Sequence, residues 1–196
     1  MDYASILKNI SKYINLQNHE IECFTTILKH KTVKQKEFLL RSGDVCRHET
    51  YVLKGCLRTY YTDDNGFEHV IYFSIEDWWA EDLFSFLTQT PAKYTIEALE
   101  DTEVLQIEKA NLEKLYQQVP KFERFFRLSF QNAYIAQQER ITQNLSFTAE
   151  ERYTFFKKKY PYSEQRFSQK QVASYLGITP EFLSVLRKKM ATRRNP

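Results

Sequence analysis

Residues 168–190, SQKQVASYLGITPEFLSVLRKKM, place side chains that can hydrogen-bond beside a cluster of positive charge. On a helix beginning near Thr179, the outward positions are Thr179, Pro180, Glu181, Ser184, Val185 and Lys188. A glutamate at such a position can accept a hydrogen bond from a cytosine amino group. Gln169 and Lys170, about ten residues earlier, are placed to reach a phosphate. Arg187, Lys188, Lys189, Arg193 and Arg194 offer attraction that does not depend on base sequence. This is the chemistry of reading double-stranded DNA, with no bond made or broken.

The elements that must position these groups are written in local signals. Ser168 and Gln171 form a capping box, and Phe167 and Val172 are spaced as its hydrophobic staple. The first helix is therefore expected over about 169–175, with Gly177 at its left-handed end. Thr179 can cap a second helix, with Pro180 at the first position and Ile178 and Leu183 as a second staple. Ala173 is small where the two helices approach, and Val172, Leu176, Leu183 and Leu186 supply a shared core. That pattern is a helix-turn-helix, whose second helix enters the major groove.

Charge agrees with this reading. Residues 146–196 hold 11 Lys and Arg against 4 Asp and Glu, a balance of +7, while residues 1–145 carry −4. A basic segment behind an acidic body favours a phosphate-rich partner for the former. The three cysteines, Cys23, Cys46 and Cys56, are scattered and form no C-x-x-C, so neither a disulfide framework nor a thiolate metal site is expected. The first residues have no apolar signal region, and no run approaches the ~18 apolar residues of a membrane span. A cytoplasmic location without membrane contact is expected. No P-loop, G-x-S-x-G, H-E-x-x-H or paired histidine occurs, which argues against an enzyme.

Upstream, residues 3–30 read as helical, divided by a turn near Asn15–Asn18. From Thr32 to Ile107 strand-like runs alternate with turns, and Asn65-Gly66 between two such runs predicts a hairpin. The pattern suggests an antiparallel barrel or roll. Residues 109–118 read as a short helix, and Pro120 opens a long one to about Leu145. Phe122, Phe126, Ser129, Ala133, Ala136 and Arg140 share one stripe of it, with Phe125, Leu128, Ile135 and Leu145 on neighbouring faces. So broad an apolar circumference predicts packing against both its own roll and a second copy. A further helix begins at Thr148-Ala149-Glu150-Glu151 and ends before Pro161.

Roll, long helix and C-terminal helix-turn-helix together resemble the Crp/Fnr superfamily of bacterial transcription regulators. The phrases TAEERY (148–153), ASYLGITPEFLS (173–184) and VLKGCLR (52–58, around Gly55) carry the likeness, which covers about residues 25–190. It implies an α+β fold: an N-terminal antiparallel, cyclic-nucleotide-binding-like β-roll with flanking helices (1–118), a long dimerisation helix (119–145) and a helix-turn-helix domain (146–196). With few residues after the second helix, a full wing is not expected. The resemblance also implies a homodimer on a two-fold symmetric DNA site, RNA polymerase as a candidate partner, and an effector pocket in the roll.

Two departures shape the expectations. Where cyclic-nucleotide binders carry Gly-Glu and then Arg-Ser, this chain has Ala80-Glu81 and Ala92-Lys93. Losing the arginine removes the bidentate phosphate partner, so a cAMP response is not expected. The degenerate effector pocket would comprise Tyr72, Ala80, Glu81, Ala92, Lys93 and Thr95. Trp78, Trp79 and Tyr72 could line an apolar pocket, although core packing is the simpler reading. Relatives commonly carry arginine where this chain has Val185, a contact worth roughly 1–3 kcal/mol of discrimination at guanine. Scattered cysteines and isolated histidines motivate neither an iron–sulfur cluster nor haem, and no cofactor or metal is predicted. The residues leave a second reading open: a protein-interaction adaptor that keeps the fold with weakened DNA readout.

Overall fold

The computed structural model describes residues 3–192. Two helices, α1 (Ala4–Ser11) and α2 (Asn18–Thr26), precede the roll. The roll contains β1 (Lys29–Val33), β2 (Phe38–Leu40), β3 (His48–Lys54), β4 (Leu57–Thr62), β5 (Glu68–Ser74), α3 (Leu83–Thr88), β6 (Thr95–Ala98) and β7 (Thr102–Glu108). Its strands form two antiparallel sheets, ordered β1-β7-β3 and β2-β6-β4-β5. Then come α4 (Lys109–Gln118), the long α5 (Lys121–Ser146), α6 (Ala149–Lys159), the short α7 (Ser163–Arg166), α8 (Gln169–Leu176) and α9 (Pro180–Thr192). No helix among the described residues is long and apolar enough to cross a membrane.

The α+β roll-then-helices architecture follows the sequence reading, with local differences. β1 begins at Lys29, inside the span whose periodicity suggests helix, because its backbone pairs with β7 a long way down the chain. α3 is an extra helix within the segment read as a phosphate cassette; buried Asp82 caps it by accepting from Ser85 N. The hairpin lies where Asn65-Gly66 predicts, but its loop spans residues 63–67, and only Gly66 takes positive φ (81°). Asp63 Oδ1 holds that loop by accepting from Asn65 N and Phe67 N, each at 2.9 Å.

Three apolar clusters hold the molecule. The first joins α1, α2, α4 and the start of α5 to one sheet through Ile6, Ile10, Phe24, Tyr51, Phe122 and Phe125. The second fills the roll with small residues, including Val52, Ala80, Ile96, Ala98 and Val104. The third fuses the edge of the roll to α6–α9 through Phe73, Tyr153, Phe156, Tyr160, Phe167 and Leu183.

Gly55 makes the sharp β3–β4 connection at φ 97°. A Cβ there would lie 2.7 Å from Thr102 Cα and 2.8 Å from Asp101 O, both backbone atoms. Gly55→Ala is expected to lose more than about 1 kcal/mol of stability, since both the conformation and the space exclude a side chain. Gly43→Ala, at φ 94° with nothing within 4 Å of the new Cβ, is expected to lose less. Urea-denaturation midpoints of the two variants check the order.

Candidate nucleic-acid interface and effector site

The corner between α8 and α9 forms with the caps its sequence specifies. Ser168 N donates to Gln171 Oε1 at 2.8 Å and Gln171 N to Ser168 Oγ at 3.3 Å. Gly177 ends α8 at φ 65°, and Phe182 N donates to Thr179 Oγ1 at 3.2 Å. Val172, Ala173, Leu176, Leu183 and Leu186 are buried against Tyr153 and Phe156 of α6. Burial of that face leaves Thr179, Glu181, Val185 and Lys188 exposed, with Pro180 and Ser184 half-buried beside them. Val185 is 62% exposed, and Phe182, next to it, is exposed too. Phe182 is missing from the sequence-based site; its pattern position reads equally well as core.

Other expected contact residues are engaged within the chain. Gln169 Nε2 donates to Pro180 O and Ser184 Oγ, both at 2.6 Å, so it ties the start of α8 to the start of α9. Arg187 is half-buried and donates from Nε to the Tyr153 hydroxyl at 3.1 Å, bracing α9 on α6. Lys170 is exposed, and Lys189 pairs with Glu150 at 3.5 Å. Arg193 and Arg194 lie outside the described residues.

The opposite face of α8 is docked on β5. Ser174 Oγ accepts from Val70 N at 2.9 Å and donates to Glu68 O at 2.6 Å. Arg140 of α5 donates to Val70 O at 3.0 Å and Tyr175 O at 3.2 Å, with its guanidinium 4.1 Å from the Tyr175 ring centre. Arg166 forms a forked pair with Glu76 at 2.8 and 3.0 Å and also contacts Glu100.

The stripe expected to mediate self-association divides. Phe122 and Phe126 are buried in the chain's own core, and Arg140 is spent on the roll and α8. Ser129, Ala133 and Ala136 line an open cavity against the roll. Every residue from Gln131 to Glu139 is exposed, as are Ile141 and Leu145, the latter at 82%. The outward apolar residues of α5 are thus Tyr134, Ile135, Ile141 and Leu145.

The six residues expected around an effector do not form one site. Ala80 is buried and faces a cavity of about 110 Å³ inside the roll. Buried Ala92 exchanges backbone hydrogen bonds with Gly43 and Asp44, and Thr95 Oγ1 accepts from Ser42 N. The Lys93 side chain is exposed, and its N–H donates to Asp82 Oδ2 at 3.1 Å. Asp82 also accepts from Ser85 N and Tyr94 N, so the chain's own carboxylate fills a cluster of backbone donors. Tyr72 and Glu81 face the other way, into a cavity of about 460 Å³ between the roll and α5. Glu49, which sequence reasoning passed over, lies on its wall and is 1% exposed. The sequence signal was weak, since Glu49 sits among other polar residues of β3, His48, Thr50 and Lys54.

Burial, then the neighbouring Glu81 carboxylate, pushes Glu49 well above the ordinary carboxylate range. Burial pushes Glu81 up to about 7, against the lowering effect of its hydrogen bond with Glu49. Unfolded, both groups would titrate near 4.5. Their contribution to stability is therefore complete below about 4.5 and is lost as pH rises toward about 7. Glu81→Gln is expected to raise the melting temperature relative to the parent more at pH 7.5 than at pH 5, by roughly 2–4 °C for each kcal/mol recovered. Thermal melts of both proteins at the two pH values check this.

Residues 30–119 match the family profile of the cyclic nucleotide-binding domain. Several solved structures share the overall fold. The c-di-GMP-responsive global regulator CLP of Xanthomonas campestris aligns at 14% identity and TM-score 0.73, covering 90% of this chain and 93% of that one. FixK2 from Bradyrhizobium japonicum aligns at 17% and 0.71, covering 85% and 86%. A CooA mutant from Carboxydothermus hydrogenoformans aligns at 14% and 0.70, covering 98% and 85%. No curated protein matches in sequence. The chain thus matches a cyclic nucleotide-binding domain over residues 30–119 and shares its overall fold with these solved structures.

Proposed function

We propose that this protein is a DNA-binding transcription regulator of the Crp/Fnr type, a homodimer that reads a two-fold symmetric site through α9 of each subunit. The observation that carries the reading is the capped α8–α9 corner, whose buried face is satisfied internally while Glu181, Val185 and Lys188 stay exposed. Two such helices about 34 Å apart would enter successive major grooves. The role is one of binding, and no chemical step is assigned to any residue.

Self-association through α5 is supported by its exposed apolar residues Tyr134, Ile135, Ile141 and Leu145. A helix with so much uncovered apolar surface is stabilised by a partner. The Ile141→Glu/Leu145→Glu variant is expected to elute as a monomer and to lose at least tenfold in DNA affinity. Light scattering and fluorescence anisotropy check both outcomes.

The effector, where one acts, is not expected to be an ordinary cyclic nucleotide. The cavity beside Ala80 and Ile96 in the roll is about 110 Å³, against the 300–1,000 Å³ of ordinary ligand sites. Asp82 occupies the backbone donors, and a phosphate beside it would meet like charge.

The exposed Phe182 and Val185 favour one further reading, an adaptor whose second helix contacts protein. Anisotropy on the duplex upstream of the protein's own gene, against a scrambled duplex at two salt concentrations, separates the two. A DNA reader prefers the native duplex, weakens with salt, and loses about one unit of salt slope per subunit in Lys188→Ala. Val185→Arg is expected to shift the selected sequence toward guanine. Equal binding to both duplexes, indifferent to Val185→Arg, would support the adaptor.

A further inference from the structure

The cavity between the roll and α5 combines aromatic walls with buried Glu49 and half-buried Glu81. Tyr72, Trp78, Trp79, Phe126, Phe130 and Tyr134 supply the walls, and about 460 Å³ is enough for a small ring compound. Glu49 and Glu81 both line the cavity, and Glu49 Oε1 and Glu81 Oε2 are buried without a hydrogen-bond partner. Unpartnered carboxyl oxygens in an apolar wall are costly and call for a donor. Among the described lining residues, Lys159 is the one base, and its Nζ stands 5.3 Å over the Trp78 ring.

The ligand chemistry follows from these groups. An ammonium group can donate to either carboxyl once it turns toward the cavity, and its charge is attracted by the aromatic faces. A phosphate or carboxylate placed there would meet two acids. A neutral hydroxyl could make one hydrogen bond without the charge attraction.

We propose that this cavity binds a small aromatic amine, with its ammonium group on Glu49 and Glu81 and its ring against Trp78, Trp79 and Tyr72. Because α5 and Lys159 of α6 complete the lining, a bound amine would touch the roll and the helices leading to α8–α9 together. Any effect on DNA rests on the reading of the protein as a DNA-binding regulator; amine binding does not.

The probes are 2-phenylethylamine, its neutral analogue 2-phenylethanol and the anion 3-phenylpropionate, titrated into the full chain at fixed pH. Trp78 and Trp79 are the chain's two tryptophans, so intrinsic emission reports from the cavity wall. The amine is expected to saturate the signal and to bind about tenfold or more tightly than the alcohol, the size expected for a charged hydrogen bond. The anion should bind more weakly than either. The Glu49→Gln/Glu81→Gln variant should remove the preference for amine over alcohol while far-UV circular dichroism is unchanged. If that variant does not fold, Glu81→Gln alone is expected to reduce the preference. Equal binding of amine and alcohol, tightest binding of the anion, a preference surviving in the folded variant, or no saturation by the amine below about 10 mM would each overturn the proposal. Anisotropy on the same preparation keeps the two readings apart: DNA binding without saturation of the tryptophan signal by the amine sinks only the amine site, and that saturation without DNA binding sinks only the regulator.

Discussion

Phe73 lies on β5, at the edge of the four-stranded sheet, and its ring stacks on Phe167 with centres 3.9 Å apart. Tyr160, Phe156 and Tyr175 close around the same ring. An open sheet edge is a liability, because its unpaired backbone groups invite another strand. Here the helical head covers that edge. Ser174 bonds to Val70 N and Glu68 O, and Tyr160 bonds to Phe73, so the edge is satisfied by side chains in place of a strand. Roll and head thus share one core. The exposed side of α9 follows from this, since the inner faces of α8 and α9 are already buried.

Arg140 gives the shared core a polar fastening. From one position on α5 it reaches a roll carbonyl and the carbonyl of Tyr175 near the end of α8. A half-buried cation on an aromatic ring is tolerable because those carbonyls and the Tyr175 face replace water. Movement of the head relative to the roll would have to break these bonds together with the Phe73 stack. A ligand could favour such movement only by binding one arrangement better than the other.

Within the roll, polar chemistry has moved away from the interior. The centre holds Val52, Ala80, Ile96, Ala98 and Val104, with little free volume. Asp82 supplies the anion for the donors at the start of α3 and in the following loop. Two of the buried polar atoms without partners, on Glu49 and Glu81, lie on the side facing α5. Space and unsatisfied chemistry therefore coincide outside the roll, against the long helix.

The sequence by itself determined the features that rest on short-range rules. Capping needs a hydroxyl and a partner three residues on, so Thr148–Glu151, Ser168–Gln171 and the Gly177 corner were legible before any coordinates. The extent of α4 and α5 and the position of the β4–β5 hairpin were legible for the same reason, as was the glycine between β3 and β4. Tertiary structure decided what depends on distant partners. Lys29–Val33 became a strand because β7 lies beside it, and Ser129, Ala133 and Ala136 of α5 line the cavity against the roll. Gln169 and Arg187, DNA-contact candidates by sequence, are also bonded within the chain to Ser184 and Tyr153, which only the geometry shows. Glu49 and Glu81 stand 32 positions apart, and neither residue announces the other. Periodicity reports which face of an element is apolar, but only packing shows which neighbour covers it.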